Sequence, residues 1–464
     1  MRVACSHCDN AIARPTTSLP DASLDPAFPL LAQTAADLGA RAWAVGGYVR
    51  DRLLGRQHRE IDVVVEAGRG PELAAHFAQL TGSAPPVVFE RFGTAQVMWE
   101  GRPIEFASAR AESYRADSRK PDVKPASIDE DLRRRDFTVN ALLMDFSGNV
   151  EDRLGTGLAD LAARRLRTPL DPAATFIDDP LRMLRAVRFA AQLDFGLDPT
   201  LLPAMRSLAE RLRPPIVSVE RVTDELRKML TSDRPKLALE LLDEGGLLAT
   251  VLPDLVACKG VAQGGYHTHD VYGHTLEAVA LTPPDLVVRL AALFHDVGKP
   301  ATAAPDGSFL GHDKIGAEMT VAALTRLRFS NSIIERVAHL VRLHLRPVFY
   351  QPDWTDGAVR RLAREAGDDL PALLQLAAAD IGASAYDQPG KLTELSRRLE
   401  AVLAETPSRL RSPVTGEDIM KARVLPPGPE VGRLKARLDE LVQEGVIEPR
   451  REAVLRYLET HPDL

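Results

Sequence analysis

The chain has 464 residues, 45% of them hydrophobic and 27% charged, which fits a globular protein of about three domains at roughly 150 residues each. Lys and Arg number 58 against 65 Asp and Glu, a formal net charge of -7, and on bulk charge alone this speaks against a nucleic-acid partner. Three cysteines are too few for a disulfide framework and fit a reducing cytoplasm.

From the N-terminus there is no signal-peptide pattern and no apolar run of about 18 residues, so no membrane span is expected. Residues 1–27 read as a flexible leader. Cys5-Ser-His-Cys8 in it lacks the second pair that a four-ligand zinc site needs. Leu30–Leu38 has helical spacing and Arg41–Val45 reads as a strand ending in Gly46-Gly47. Tyr48–Leu54 is a predicted helix stopped at Gly55, and the β-branched run Ile61–Val65 a strand. Leu73–Leu80 reads as a helix, and Val87–Phe89, Thr94–Trp99 and Pro103–Ala107 as strands. Strand signals fade after about Ala141. From Pro180 onward the pattern is helical, with Leu181–Leu193, Val219–Leu230, Pro235–Leu242 and Thr275–Ala280 as clear segments. The expected class is α+β: a head with a small mixed sheet, then a helical body.

Within the head, Gly46-Gly47-Tyr-Val-Arg50-Asp51 stands between a strand and a helix. Two glycines let a backbone approach a ligand closely, and the N–H groups that open the helix suit phosphates. Arg50 can add a charge-assisted fork. Glu60 and Asp62 are i and i+2 on the predicted strand, so both carboxylates leave one face about 6.6 Å apart. That pair can clasp a hard cation such as Mg²⁺. An isolated E-x-D is more often a solvated strand edge; the glycine turn and Arg50 upstream reverse the balance. Glu105, on a later strand, is a candidate third acidic ligand.

These residues, with Asp131-Leu-Arg-Arg-Arg135-Asp136-Phe-Thr-Val-Asn140 and Asp178-Asp179-Pro-Leu-Arg182-Met-Leu-Arg185-Ala-Val-Arg188, follow one another in order. The set resembles the bacterial tRNA nucleotidyltransferases (CCA-adding enzymes, class II) and their poly(A) polymerase relatives, in the polymerase β-like superfamily. The resemblance implies that Gly46, Gly47 and Arg50 hold an incoming CTP or ATP, and that Glu60 and Asp62 are the catalytic carboxylates on Mg²⁺. Arg135 would contact the nucleotide, Asp136 and Asn140 would shape its pocket, and Asp179 and Arg182 would read the base edge. A carboxylate accepts from the exocyclic amino group that cytosine and adenine share, while a guanidinium donates to ring acceptors. Arg185 and Arg188 share the helix face of Arg182 and are expected to meet phosphates. The metal pair of the family is normally two aspartates; Glu60 is a departure that adds a rotatable bond.

Further on, His274, Leu293-Phe-His295-Asp296-Val-Gly-Lys299, His312, His344 and Asp380 form a second constellation. Adjacent His and Asp with more of both on neighbouring helices suit an imidazole–carboxylate metal site. It resembles the HD phosphohydrolase superfamily, which implies His274, His295, Asp296 and Asp380 as ligands of a transition metal or Mg²⁺, with His312 and His344 available to a second ion. His267, His269 and His339 read as ordinary surface or core residues.

The expected organisation is a head at 28–168, a helical neck with base recognition at 169–258, an HD domain at 259–395 and a helical, tRNA-binding tail at 396–464. The expected partners are tRNA, CTP and ATP, with the chain a monomer or homodimer. Two other readings stay open: a poly(A) polymerase acting on other RNAs, and an HD hydrolase whose head only binds nucleotides or RNA. The clusters Arg133–Arg135, Arg164–Arg167, Arg182–Arg188, Arg221–Lys228 and Lys421–Lys435 place cations where RNA would lie, so bulk charge is the wrong scale for a partner.

Overall fold

The computed structural model describes residues 16–18, 24–90, 93–113, 122–264, 269–384, 389–404, 412–443 and 445–464. They divide into two units, one running to residue 229 and including 240–251, the other comprising 230–239 and 252–464.

The first unit is built on β1 (Thr16–Ser18), β2 (Ala42–Val45), β3 (Ile61–Val65), β4 (Val87–Phe89), β5 (Thr94–Trp99), β6 (Arg102–Ser108), β9 (Leu143–Met144) and β10 (Asn149–Glu151), with β7 (Arg110–Ser113) and β8 (Asp122–Pro125) forming a separate hairpin. The strand order of the main sheet is β1-β10-β9-β2-β3-β6-β5-β4. It is mixed: β3 runs antiparallel to β2 and parallel to β6. Ile61, Val63, Val64 and Val65 are fully buried in β3, as a continuous apolar strand with both faces covered should be. Helix α1 (Ala27–Asp37) packs on α3 (Gly70–Thr81), which crosses β5 and β6. There Phe77 meets Phe106 and Trp99 with ring centroids 5.6 and 6.3 Å apart.

The elements read from periodicity are present, most within one to three residues of their expected ends. Two expectations need correcting. The leader is not wholly loose, because Thr16–Ser18 pairs antiparallel with Asn149–Glu151 at the sheet edge. Cys5 and Cys8 lie outside the described residues. Strands also continue past Ala141 as β9 and β10, of two and three residues. Runs that short carry no alternation, and their partners, not their own sequence, make them strands.

The rest of the first unit is mostly helical, apart from a short parallel strand pair, Arg165–Leu166 with Gly196–Leu197: α4 (Ile128–Arg133), α5 (Gly157–Ala162), α6 (Pro172–Asp178), α7 (Leu181–Leu193), α8 (Leu201–Leu208) and α9 (Val219–Leu230). Pro180 sits just before α7, where its missing N–H costs nothing. In the second unit, helices Val271–Leu281, Leu286–Phe294, His312–Arg326, Asn331–Leu343 and Leu370–Gly382 surround a buried polar cluster. Its C-terminal part opens with a capping box between Thr415 and Asp418 and packs Ile419, Leu438, Val454 and Leu458 into a small core. No helix among the described residues is long and apolar enough to cross a membrane.

Candidate functional sites

The turn between β2 and α2 (Gly47–Leu53) organises the first site. Gly46 holds φ +76° and ψ −141°, a conformation open in practice only to glycine. A Cβ there would stand 3.2 Å from Asp62 Oδ2 and 3.4 Å from Arg135 Nη1. A Cβ on Gly47 would stand 3.2 Å from His58 Cε1. Asp62, Arg135, His58 and Arg50 therefore face the turn at van der Waals range. We expect Gly46→Ala to fold with strain of about 1–3 kcal/mol and to lose nucleotide-dependent activity. Wild-type turnover in that variant would show that close approach to Gly46 is not required.

Strand register explains why Asp62 lies there. It pairs with Val45, the residue before the turn, across β2–β3, and with Glu105 across the parallel β3–β6 pair. In-register residues of neighbouring strands leave the same face, so Glu105 joins Asp62. Glu60 precedes β3 instead of lying within it, and is exposed. Burial pushes the Asp62 carboxyl up against the opposing pull of Arg135, with Glu60 adding to the rise. Burial and the Asp62 charge likewise raise Glu105. Carboxylates that raise one another's pKa fit a divalent cation, which would relieve the repulsion.

Arg135 reaches the turn because Asp131 holds it. Asp131, 1% exposed, accepts from Nε and Nη2 of Arg135 at 3.2 and 3.1 Å, and from Nε and Nη2 of Arg134 at 3.2 and 2.8 Å. Burial opposes its ionisation, yet the two guanidiniums keep its pKa below the ordinary value.

Arg50 also lies at the turn, with Nη2 3.6 Å from the point a Gly47 Cβ would occupy. Its Nε and Nη2 donate to Asp51 at 2.8 and 2.9 Å, and its Nη1 to Asn140 Oδ1 at 2.7 Å. Asn140 Nδ2 in turn donates to Asp136 Oδ1 at 2.9 Å, and Arg185 forks onto Asp136 Oδ2 at 2.8 and 2.5 Å. Burial works against the Asp136 charge, but Arg185 and Asn140 hold its pKa far below the carboxylate range. Arg188 donates to Glu225, 3% exposed, at 2.6 Å, and lies 4.0 Å over the Phe189 ring. Arg185 and Arg188 thus neutralise buried carboxylates, Arg185 with its side chain still 36% exposed.

Asp179 Oδ1 accepts from Leu181 N at 3.2 Å, and its Oδ2 from Arg221 at 3.1 Å. Arg182 donates to the carbonyl oxygens of Arg134 and Thr175 at 2.5 and 3.4 Å. Other cation clusters are paired as well: Arg165 and Arg167 both bind Asp160, which is 0% exposed. Asp51, His58, Asp131, Asp160 and Glu225 escaped the sequence reading. Asp51 and Asp131 sat inside quoted motifs without a role of their own.

The second site lies wholly in the second unit. His274, His295, His312 and His344 are each 7% exposed or less, and each Nδ1 lies 2.6–3.4 Å from a backbone carbonyl oxygen, those of Ala383, Ala292, Phe309 and Val341. Those carbonyls engage the Nδ1 atoms and leave all four Nε2 atoms facing inward. The Nε2 atoms of His274 and His295 are 3.3 Å apart, as are those of His312 and His344. Two donors at about 2.1 Å from one ion would lie roughly 3–3.4 Å apart, so the donor set fits divalent metal. Asp296 belongs to both groups, with Oδ2 3.2 Å from His295 Nε2 and Oδ1 3.4 Å from His312 Nε2. Asp380 Oδ1 is 3.0 Å from His274 Nε2. Lys299 Nζ donates to Asp296 Oδ2 at 2.6 Å. Burial lowers His344 to about 4, whereas Asp296 overcomes burial to lift His295 to about 9. His267 lies outside the described residues.

Residues 42–167 match the family described as the Poly A polymerase head domain, 194–258 the probable RNA and SrmB-binding site of polymerase A, and 265–381 the HD domain. An A-adding tRNA nucleotidyltransferase of Deinococcus radiodurans is 37% identical, over 73% of this chain and 81% of its own. A CC-adding tRNA nucleotidyltransferase of Thermus thermophilus is 38% identical, over 89% and 92%. The crystal structure of the Bacillus stearothermophilus CCA-adding enzyme in complex with CTP aligns with TM-score 0.64 and 25% identity over 95% of this chain and 98% of that one.

Proposed function

The chain belongs to the tRNA nucleotidyltransferase family, and from that premise we propose that it adds C or A nucleotides from CTP or ATP to the 3′ end of tRNA, without a nucleic-acid template. The observation that carries this reading is the convergence of Asp62, with Glu105 beside it, and Arg135 on the glycine turn. Asp62, Glu60 and Glu105 would hold Mg²⁺, which when bound supplies charge neutralisation for in-line displacement of pyrophosphate by the tRNA 3′-hydroxyl. The chain's own residues orient the reactants. Gly46 and Gly47 leave room for the phosphate chain, and Arg135, braced by Asp131, presents Nη1 beside it. Asp179 and Arg182 are the proposed base readers. The tRNA substrate puts the reaction in the cytoplasm.

Relatives that add A and relatives that add CC match almost equally, so the order of addition is a question for experiment. Incubation with tRNA ending at the discriminator base, at C or at CC, with CTP or ATP supplied separately, decides it by which ends grow. Extension of unrelated RNA, with every tRNA end inert, would favour the poly(A) reading.

The second site supports a further activity. Four inward Nε2 atoms around a shared carboxylate suit metal-assisted hydrolysis of a phosphoester, and a 2′,3′-cyclic phosphate is the substrate class we assign to it.

A further inference from the structure

One side chain at the glycine turn has no role in the motifs that led to the site. His58 sits with Cε1 3.2 Å and Nε2 3.7 Å from the point a Gly47 Cβ would occupy. Its Nδ1 lies 2.7 Å from Asp51 Oδ2, and its ring meets Tyr48 edge to face at 6.3 Å. With Nδ1 engaged, the Nε2–Cε1 edge is what the ring presents to the turn, and Nε2 has no hydrogen-bond partner among the described residues. The side chain is 25% exposed, so the edge is reachable while the ring is held.

Arg50 is differently disposed. Three of its nitrogens are engaged by Asp51 and Asn140, and its guanidinium lies 5.0 Å over Phe189. Those bonds use three of its five N–H donors and fix the fork in place, and with Nη2 3.6 Å from the point a Gly47 Cβ would occupy, its remaining Nη protons can meet a phosphate alongside His58 without leaving Asp51 or Asn140. The same Asp51 carboxylate that retains Arg50 holds His58 against Gly47.

We propose that His58 is a positioning residue for the phosphate chain of the incoming nucleoside triphosphate, touching it through its Nε2–Cε1 edge, with Asp51 setting the ring's orientation. This rests on the nucleotidyl-transfer reading of the first unit.

The test is steady-state incorporation by the full chain, on the tRNA end and nucleotide that the wild type uses. His58→Ala should raise KM for the nucleotide roughly tenfold, the factor that about 1.4 kcal/mol gives, with kcat and the KM for tRNA little changed. His58→Gln, which keeps a polar nitrogen at similar reach, should restore most of the loss. In direct binding, His58→Ala should weaken the triphosphate and leave the corresponding nucleoside unaffected, a split that a merely structural role would not produce. An unchanged nucleotide KM, or triphosphate and nucleoside weakened alike, overturns the proposal and leaves the transferase reading intact. A wild-type chain that incorporates neither CTP nor ATP into any tRNA end overturns that reading, and this proposal with it.

Discussion

Replacing Asp62 with Ala is expected to abolish nucleotide incorporation into tRNA while leaving the protein folded. Asp62 is the carboxylate nearest the glycine turn, in register with Val45 on one side and Glu105 on the other. Charge stabilisation by a bound metal is worth several kcal/mol in such transfers, so the loss should be on the order of 10³-fold or more. The fold should survive. Asp62 makes no hydrogen bond that holds two elements together among the described residues, and removing a carboxylate already raised by burial relieves repulsion with Glu60 and Glu105. Measured rates within tenfold of wild type would remove Asp62 from the metal site and revive the reading in which the head only binds nucleotides. Glu60→Ala should cost less, because Glu60 is exposed and lies ahead of the strand.

The second large effect belongs to Asp296. Its two carboxylate oxygens face different histidine pairs, His274 with His295 and His312 with His344. One substitution, Asp296→Ala, should therefore lower divalent-metal content at both places at once, read by elemental analysis of the purified protein. Release of phosphate from 2′,3′-cAMP with added divalent metal should disappear in the same variant and in His295→Ala, while nucleotide incorporation on tRNA persists. Full metal retention in Asp296→Ala would sink the shared-ligand assignment. Metal bound without hydrolysis, across a panel of ions, would leave a structural metal site and refute the hydrolase.

Much of the candidate chemistry was legible in the chain. The glycine pair and the His295-Asp296 step are local patterns, and local chemistry decides the first: glycine for a positive φ. Helix α7 was legible to the residue because Pro180 marks its start and apolar positions repeat at helical spacing along it. Arginine partners were not legible. Arg50, Arg185 and Arg188 read as nucleotide-binding groups, and what spacing does not show is their partners: Asp51 and Asn140, Asp136 and Glu225. Glu225 is 37 residues from Arg188 in sequence, and no periodicity within one helix reports a partner on another.

By itself, then, the sequence determined the elements, their order and the two sets of metal-binding residue types, because spacing along one chain dictates which side chains share a face. The tertiary structure decided which charges meet. It brought Glu105 beside Asp62 through the register of β3 and β6, and gathered the histidines of four helices, three of them oriented by carbonyls three residues upstream, around Asp296. It also set the arginines against buried carboxylates. A buried charge must find an opposite one, and only packing brings distant residues close enough to supply it.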